Sequence, residues 1–210
     1  MGISLRLETV ASFVDKGARI ADIGSDHATI PIYLLENNII SFAEAVENKV
    51  GPFNRMKNAL IESGYISSVY TSLSDGIEDL REDVDTLVIA GMGARLIVRI
   101  LSDHQEKLGN IKTIIIDAHN EREILFEPLR AMGFDLEANS FIEEENVFYD
   151  VMKWVKREKA EPYSLKETEF GPLNLKNKGE KWKKYWKKED ITGCLWKNVR
   201  HPDTSRSFPS

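Results

Sequence analysis

Residues 18–28 read ARIADIGSDHA. The first seven make a short apolar run, interrupted by one carboxylate at Asp22 and closed by Gly24. A run of that length ending at a turn glycine is the pattern of a strand buried on both faces. A helical pattern follows at once, over residues 28–37. The alternation then repeats. Strands are expected at residues 41–46, 69–73, 85–90 (DTLVIA) and 111–116 (IKTIII). Helices are expected at 51–64, where Phe53, Met56, Leu60 and Ile61 share one face, and at 94–101. A further helix should end near Met132, with Gly133 as its stop. Strands alternating with helices at this spacing imply βαβ units and a mainly parallel sheet. Two more strands, at 135–142 and 147–155, have only four residues between them, which suits an antiparallel hairpin. The fold class is α/β: a doubly wound, mainly parallel sheet with an antiparallel end strand.

Around this body, residues 1–17 read as one short helix, with Ser4 as its N-cap and Leu5, Val10, Phe13 and Val14 facing the sheet. After residue 157 the composition changes. Residues 163–173, with Pro162, Gly171 and Pro172 at their edges, read as a linker. Residues 176–189 are Lys-rich and place Trp182, Tyr185 and Trp186 on one helical face. The last twenty residues show no strong periodicity and are expected to be poorly ordered. The expected division is thus 1–157 as the main domain and 158–210 as a linker plus a basic helical arm.

The 210 residues, 42% hydrophobic and 30% charged, are enough to bury a core. Cys194 is the single cysteine, which excludes an internal disulfide and a cysteine zinc site and suits a reducing, cytoplasmic setting. The N-terminus lacks the pattern of a secretory leader, and no apolar run is long enough to span a bilayer. The net charge of −6 is unevenly spread: residues 1–150 carry −13 and residues 151–210 carry +7. A polyanion contact is therefore expected at the C-terminal end, against the plainer reading of a solvated Lys-rich helix.

Ligands of doubly wound sheets bind at the carboxyl ends of the strands. There the sequence puts Asp22-Ile23-Gly24-Ser25-Asp26-His27-Ala28, then Glu47, Asp75-Gly76, Gly91-Met92-Gly93 and Asp117-Ala118-His119-Asn120. A dinucleotide fold wants G-x-G-x-x-G around a pyrophosphate, but this loop has Gly24, Asp26 and Thr29 at those positions. A carboxylate at the second would repel a pyrophosphate and attract an ammonium or sulfonium, which favours S-adenosylmethionine (SAM). Glu47 is placed to take ribose hydroxyls and Asp75 to accept from an adenine amine, although Asp-Gly is also an ordinary turn. Gly91–Gly93 allow backbone to approach a flat group.

Together these segments resemble the bacterial tRNA (adenine-22-N1)-methyltransferases, class I SAM-dependent enzymes with a Rossmann-like sheet. The resemblance rests on LRLETVASFV, ADIGSDHATIPIYLL, Glu47 with Gly51-Pro52, SDGI, VDTLVIAGMG, LIVRIL, EEENVFYDVM and FGP, over about residues 3–189. It implies methyl transfer from SAM, without a metal, to N1 of an adenine in tRNA, and a C-terminal helical coiled-coil arm. It also implies that Asp22, Gly24, Ser25, Asp26, His27 and Glu47 line the SAM site. Asp75, with Gly76, would meet the cofactor's adenine, and Gly91, Met92 and Gly93 would border the methyl group and target base. The chain departs from the family near the base pocket: Ala94 replaces a glycine, Val46 replaces another, and Asp117-Ala118-His119 replaces Gln-Pro-Asn.

Adenine N1 attacks through a lone pair, so positioning and electrostatics should matter more than a strong base. Asp26 and His27 are the expected catalytic pair, Asp26 ahead, with His119 a further candidate. The basic arm would hold tRNA, with Trp182 and Trp186 available to stack on bases and packing the favoured role for Trp182. A monomer is expected. Two alternatives stand beside this reading: a SAM-binding regulatory protein without catalysis, and a methyltransferase for another RNA site or a small molecule.

Overall fold

The computed structural model describes residues 2–158 and 161–192. Seven strands form one sheet: β1 (Ile20–Ile23), β2 (Ala43–Glu47), β3 (Val69–Leu73), β4 (Thr86–Met92), β5 (Thr113–Ala118), β6 (Phe134–Glu144) and β7 (Val147–Lys156). Their spatial order is β3-β2-β1-β4-β5-β7-β6. The pairs among β1–β5 are parallel, and β7 runs antiparallel between β5 and β6. All seven expected strands are present, and the 143–146 connection turns through Glu145 and Asn146, both at positive φ.

The α-helices of this body are α1 (Leu5–Ser12), ahead of β1, and α2 (Thr29–Glu36), α3 (Val50–Glu62), α4 (Ala94–Asp103) and α5 (Phe126–Ala131) between strands. Ser4 caps α1 as expected, its hydroxyl accepting from Leu7 N at 3.3 Å. Gly133, at φ +83°, ends α5. The central strands are apolar on both sides because both faces are covered. One layer centres on Leu87, Ile97, Phe126 and Trp154, the other on Val10, Leu34, Met56 and Leu60. The chain leaves β1 toward β2 and later returns to lay β4 on β1's other side. That reversal opens a crevice at the strands' carboxyl ends. No described helix is long and apolar enough to cross a membrane.

The segment expected as a linker is helical. Ser164 and Glu167 form a reciprocal capping box that starts α6 (Leu165–Phe170), and Gly171, at φ +81°, turns the chain into α7 (Pro172–Asn177). The glycine and proline that suggested a loose connection are helix punctuation: a turn glycine followed by Pro172 in the first helical turn. α8 (Glu180–Thr192) follows. Its aromatic face is as expected, but it is fully used in packing. Trp182 and Trp186 are both buried, Trp182 Nε1 donates to Phe170 O at 3.1 Å, and Tyr185 sits edge-on to Phe141 and Phe148 of the β6–β7 hairpin. Neither tryptophan is left to stack on a base. The stretch expected to be poorly ordered, like Cys194, lies outside the described residues save for its first two positions.

The C-terminal helices are keyed to the sheet by one buried carboxylate. Asp150 accepts from Asn139 Nδ2 at 2.6 Å and Asn174 Nδ2 at 2.9 Å, and pairs with Arg122 Nη1 at 3.2 Å. Removing one partner of a buried pair strands the other charge, at a cost of about 3–5 kcal/mol. Asp150→Ala should therefore lower the urea midpoint by the equivalent of about 3 kcal/mol or more, with Asp150→Asn costing less. Equal midpoints for the three proteins would show that the carboxylate does not hold the helices.

Candidate functional site

A cavity of about 300 Å³ opens at the carboxyl ends of β1–β4, between the loops that follow them. Its walls include Gly24, Asp26, Glu47, Asp75, Gly76, Gly91 and Met92, seven of the residues singled out from sequence. The volume is at the lower end for small-molecule sites. Gly24 adopts φ +80°, a conformation that strains any residue with a side chain, and a Cβ there would also displace Met92 Cε. The loops after β1 and β4 thus touch across a missing side chain.

The other expected residues sit close by without lining the cavity. Asp22 and Ser25 are buried below it, the Ser25 hydroxyl donating to Asp22 Oδ2. His27 is exposed, its Nε2 3.7 Å from Asp26 Oδ2. Gly93 caps α4 from the far side of Met92. Ala28 adopts φ +50° and gives α2 no side-chain cap.

The carboxylates fall into two groups. Asp26 and Asp75 are half-exposed and carry cations: Arg55 Nε and Nη2 reach Asp26 Oδ1 at 2.8 and 2.7 Å, and Arg99 Nη1 reaches Asp75 Oδ2 at 3.3 Å. Asp22 and Glu47 are buried and form no salt bridge among the described residues. Burial, with Glu47 adding to it and the Ser25 hydroxyl opposing, pushes the Asp22 carboxyl up to about 7. Burial likewise raises Glu47, opposed by the Asn48 backbone N–H and the charges of Arg55 and Lys49 and reinforced by the charge of Asp26.

Sequence reasoning did not find the cations. Arg55 reads as a solvated residue on an amphipathic helix, and nothing local ties it to a loop twenty-nine residues away. Arg6 of α1 was missed too. Its Nη1 donates to Asp117 Oδ2 at 2.9 Å and lies 3.1 Å from His119 Nε2, while its guanidinium covers the Tyr149 ring at 5.3 Å. Asp117 is fully buried, and burial raises its carboxyl while Arg6 opposes.

A buried carboxyl raised above its unfolded value binds a proton that the unfolded chain has released, so stability falls as pH rises between the two values. For Asp22 that interval runs from 3.8 to about 7. Asp22→Asn should gain stability over the parent as pH rises from about 4 to 7, by up to about 4 kcal/mol. Denaturant midpoints of both proteins across that interval check it, and a constant difference would mean that Asp22 is ionised throughout.

A model of the methyltransferase-domain family matches residues 3–152. Among curated proteins, the tRNA (adenine(22)-N(1))-methyltransferase of Bacillus subtilis is 35% identical over 151 residues, which are 71% of this chain and 63% of that protein. The match thus spans less than two thirds of that relative's length. Among solved structures, Sp1610 of Streptococcus pneumoniae, a candidate tRNA methyltransferase determined in complex with S-adenosyl-L-methionine, superimposes with a TM-score of 0.87. It is 35% identical, over 91% of this chain and 89% of that one. The tRNA methyltransferase TrmK of Bacillus subtilis gives a TM-score of 0.82 at 29% identity, over 96% and 90%. The sheet order, the strand-end carboxylates and these likenesses agree: the chain belongs to the methyltransferase-domain family, within the group of bacterial tRNA (adenine-22-N1)-methyltransferases.

Proposed function

We propose that this chain transfers a methyl group from SAM to N1 of an adenine in tRNA. The observation that carries the reading is the pair of buried carboxylates without a salt bridge among the described residues, Asp22 and Glu47, at a cavity lined by the glycines that end β1 and β4. Unneutralised acids at a ligand site favour a cation, and SAM combines an ammonium, a sulfonium and a ribose diol. Its sulfonium supplies an electrophilic methyl group when bound.

The residues have distinct tasks. Glu47, at the end of β2, accepts hydrogen bonds from the ribose hydroxyls. Asp75 accepts from the adenine amine of the cofactor, with Asn48 Nδ2 at 3.4 Å steadying it. Asp22 acts from below through the field of its carboxyl and through Ser25. Gly91 and Met92 form the wall nearest the acceptor.

Adenine N1 needs no prior loss of a proton, so the protein's contribution is orientation and charge. Arg55 hydrogen-bonds Asp26 at Oδ1, and Oδ2, 3.7 Å from His27 Nε2, accepts from the acceptor's exocyclic amine and offsets the positive ring that forms. The exposed Lys181 and Lys187 of α8 give phosphates a basic surface, and the reaction suits the cytoplasm where tRNA matures.

Loss of hydrogen bonds to a charged group costs about 1–3 kcal/mol, so Glu47→Ala should weaken SAM binding by roughly fivefold or more in calorimetry. No heat of SAM binding to the unaltered chain would reject the reading outright. Asp26→Asn should lower the methylation rate about a hundredfold on an unmodified tRNA while SAM still binds. A raised SAM dissociation constant with an intact saturated rate would instead assign Asp26 to the methionine ammonium. Mapping the methylated base in the same reactions tests the RNA position.

A further inference from the structure

Beside the cofactor cleft lies a second polar cluster that the catalytic reading does not use. The β4–β5 register shifts between Ala90 and Met92, so Gly91 is the extra residue of a β-bulge, at φ +81°. Bulges re-aim the residues next to active sites. The bulge brings the chain under two side chains: a Cβ on residue 91 would lie 3.5 Å from His119 Nε2 and 3.7 Å from Arg6 Nη1. His119 is itself tied to this wall, its backbone N–H donating to Met92 O at 3.0 Å.

Arg6 is fixed from three sides. Asp117 Oδ2 takes its Nη1 from the end of β5, the Tyr149 ring of β7 supports its guanidinium, and α1 carries its backbone. The hydrogen bond to His119 then has a chemical consequence. A guanidinium has donors only, so Nε2 must be the acceptor nitrogen of a neutral imidazole, and the proton is on Nδ1. Arg6 thereby sets the tautomer of an exposed ring at the edge of Gly91 and leaves that ring one donor, Nδ1–H, to offer.

We propose that His119, held in this tautomer by Arg6, contacts the methyl acceptor, and that Arg6 is a positioning residue for the same reaction. The inference rests on the transferase reading above and adds the determinant of acceptor choice. A lone donor beside the wall suits a heteroaromatic ring that offers a second acceptor nitrogen besides the one methylated, as a purine does. Asp117 orients Arg6 and touches no ligand.

The test uses the full chain with SAM and unmodified tRNA. His119→Ala, at an exposed position, should leave the fold and the SAM dissociation constant unchanged and lower kcat/KM for tRNA by about tenfold to a hundredfold. His119→Asn, whose amide restores a donor, should recover part of the loss. Arg6→Ala strands the Asp117 carboxylate and is expected to unfold more readily, so Arg6→Lys serves as its companion. Combined with His119→Ala it should add little to the single loss, because the two residues act as one unit. Transfer by the unaltered chain that is indifferent to His119→Ala would overturn the role of the pair and leave the transferase reading standing. A rise in the SAM dissociation constant matching the loss would move His119 to the cofactor site and equally overturn it. Absence of any methyl transfer by the unaltered chain would overturn both.

Discussion

The left-handed backbone of Gly24, at φ +80°, decides how the chain leaves β1 beside the exit of β4, because a side chain there would be strained and would also have to displace the tip of Met92. Two parallel strands that diverge to opposite sides of a sheet leave a crevice, but its width is decided by such contacts. Here the backbone of one loop meets the thioether tip of the other, and the cavity forms along that seam. The positive φ of Gly24 and of Gly91 belongs to the same requirement: both loops turn sharply at the strand ends so that carboxylates, and not main chain, form the rim.

Charge is distributed in the cleft by the same geometry. Asp26, Asp75 and Asp117 each have an arginine delivered by a different helix, α3, α4 and α1. Asp22 and Glu47 form no such pair among the described residues, and burial raises both, against the more distant charges of Arg55 and Lys49 at Glu47. An acidic body is therefore not uniformly repulsive. Its acids near the rim are largely paired with arginines, and the two without a direct ion pair among the described residues sit at the ends of β1 and β2.

The strands and most helices were legible because period and punctuation agreed along residues 18–156, and because strand-end glycines and acids lie in the same chain segments as the strands themselves. The partners of those acids were not legible. Arg6 and Asp117 are 111 residues apart, and Arg55 and Asp26 are 29 apart, so no local pattern links them. The linker expected around Gly171 failed for a different reason. A glycine between two prolines suggests a loop, yet Ser164 and Glu167 three residues apart already spell a capping box, and that signal outweighs the punctuation. Trp186 was offered to RNA because its helix is basic, but its own face carries three aromatic residues that pack on Phe170 of α6 and on Phe141 and Phe148 of the hairpin.

Arg122 joins two regions that the chain order separates. It lies three residues beyond His119, in the turn before α5, and its guanidinium pairs with Asp150 while covering the rings of Phe141, Tyr185 and Trp186 within 6 Å. The C-terminal helices cannot lift away from the hairpin without uncovering that guanidinium and the carboxylate it shares with Asn174. Local opening of α7 and α8 would therefore also strip the segment after β5 of the contacts that Arg122 makes. Any force that pulls α8 from the hairpin is also felt, through Arg122, in the segment that carries His119.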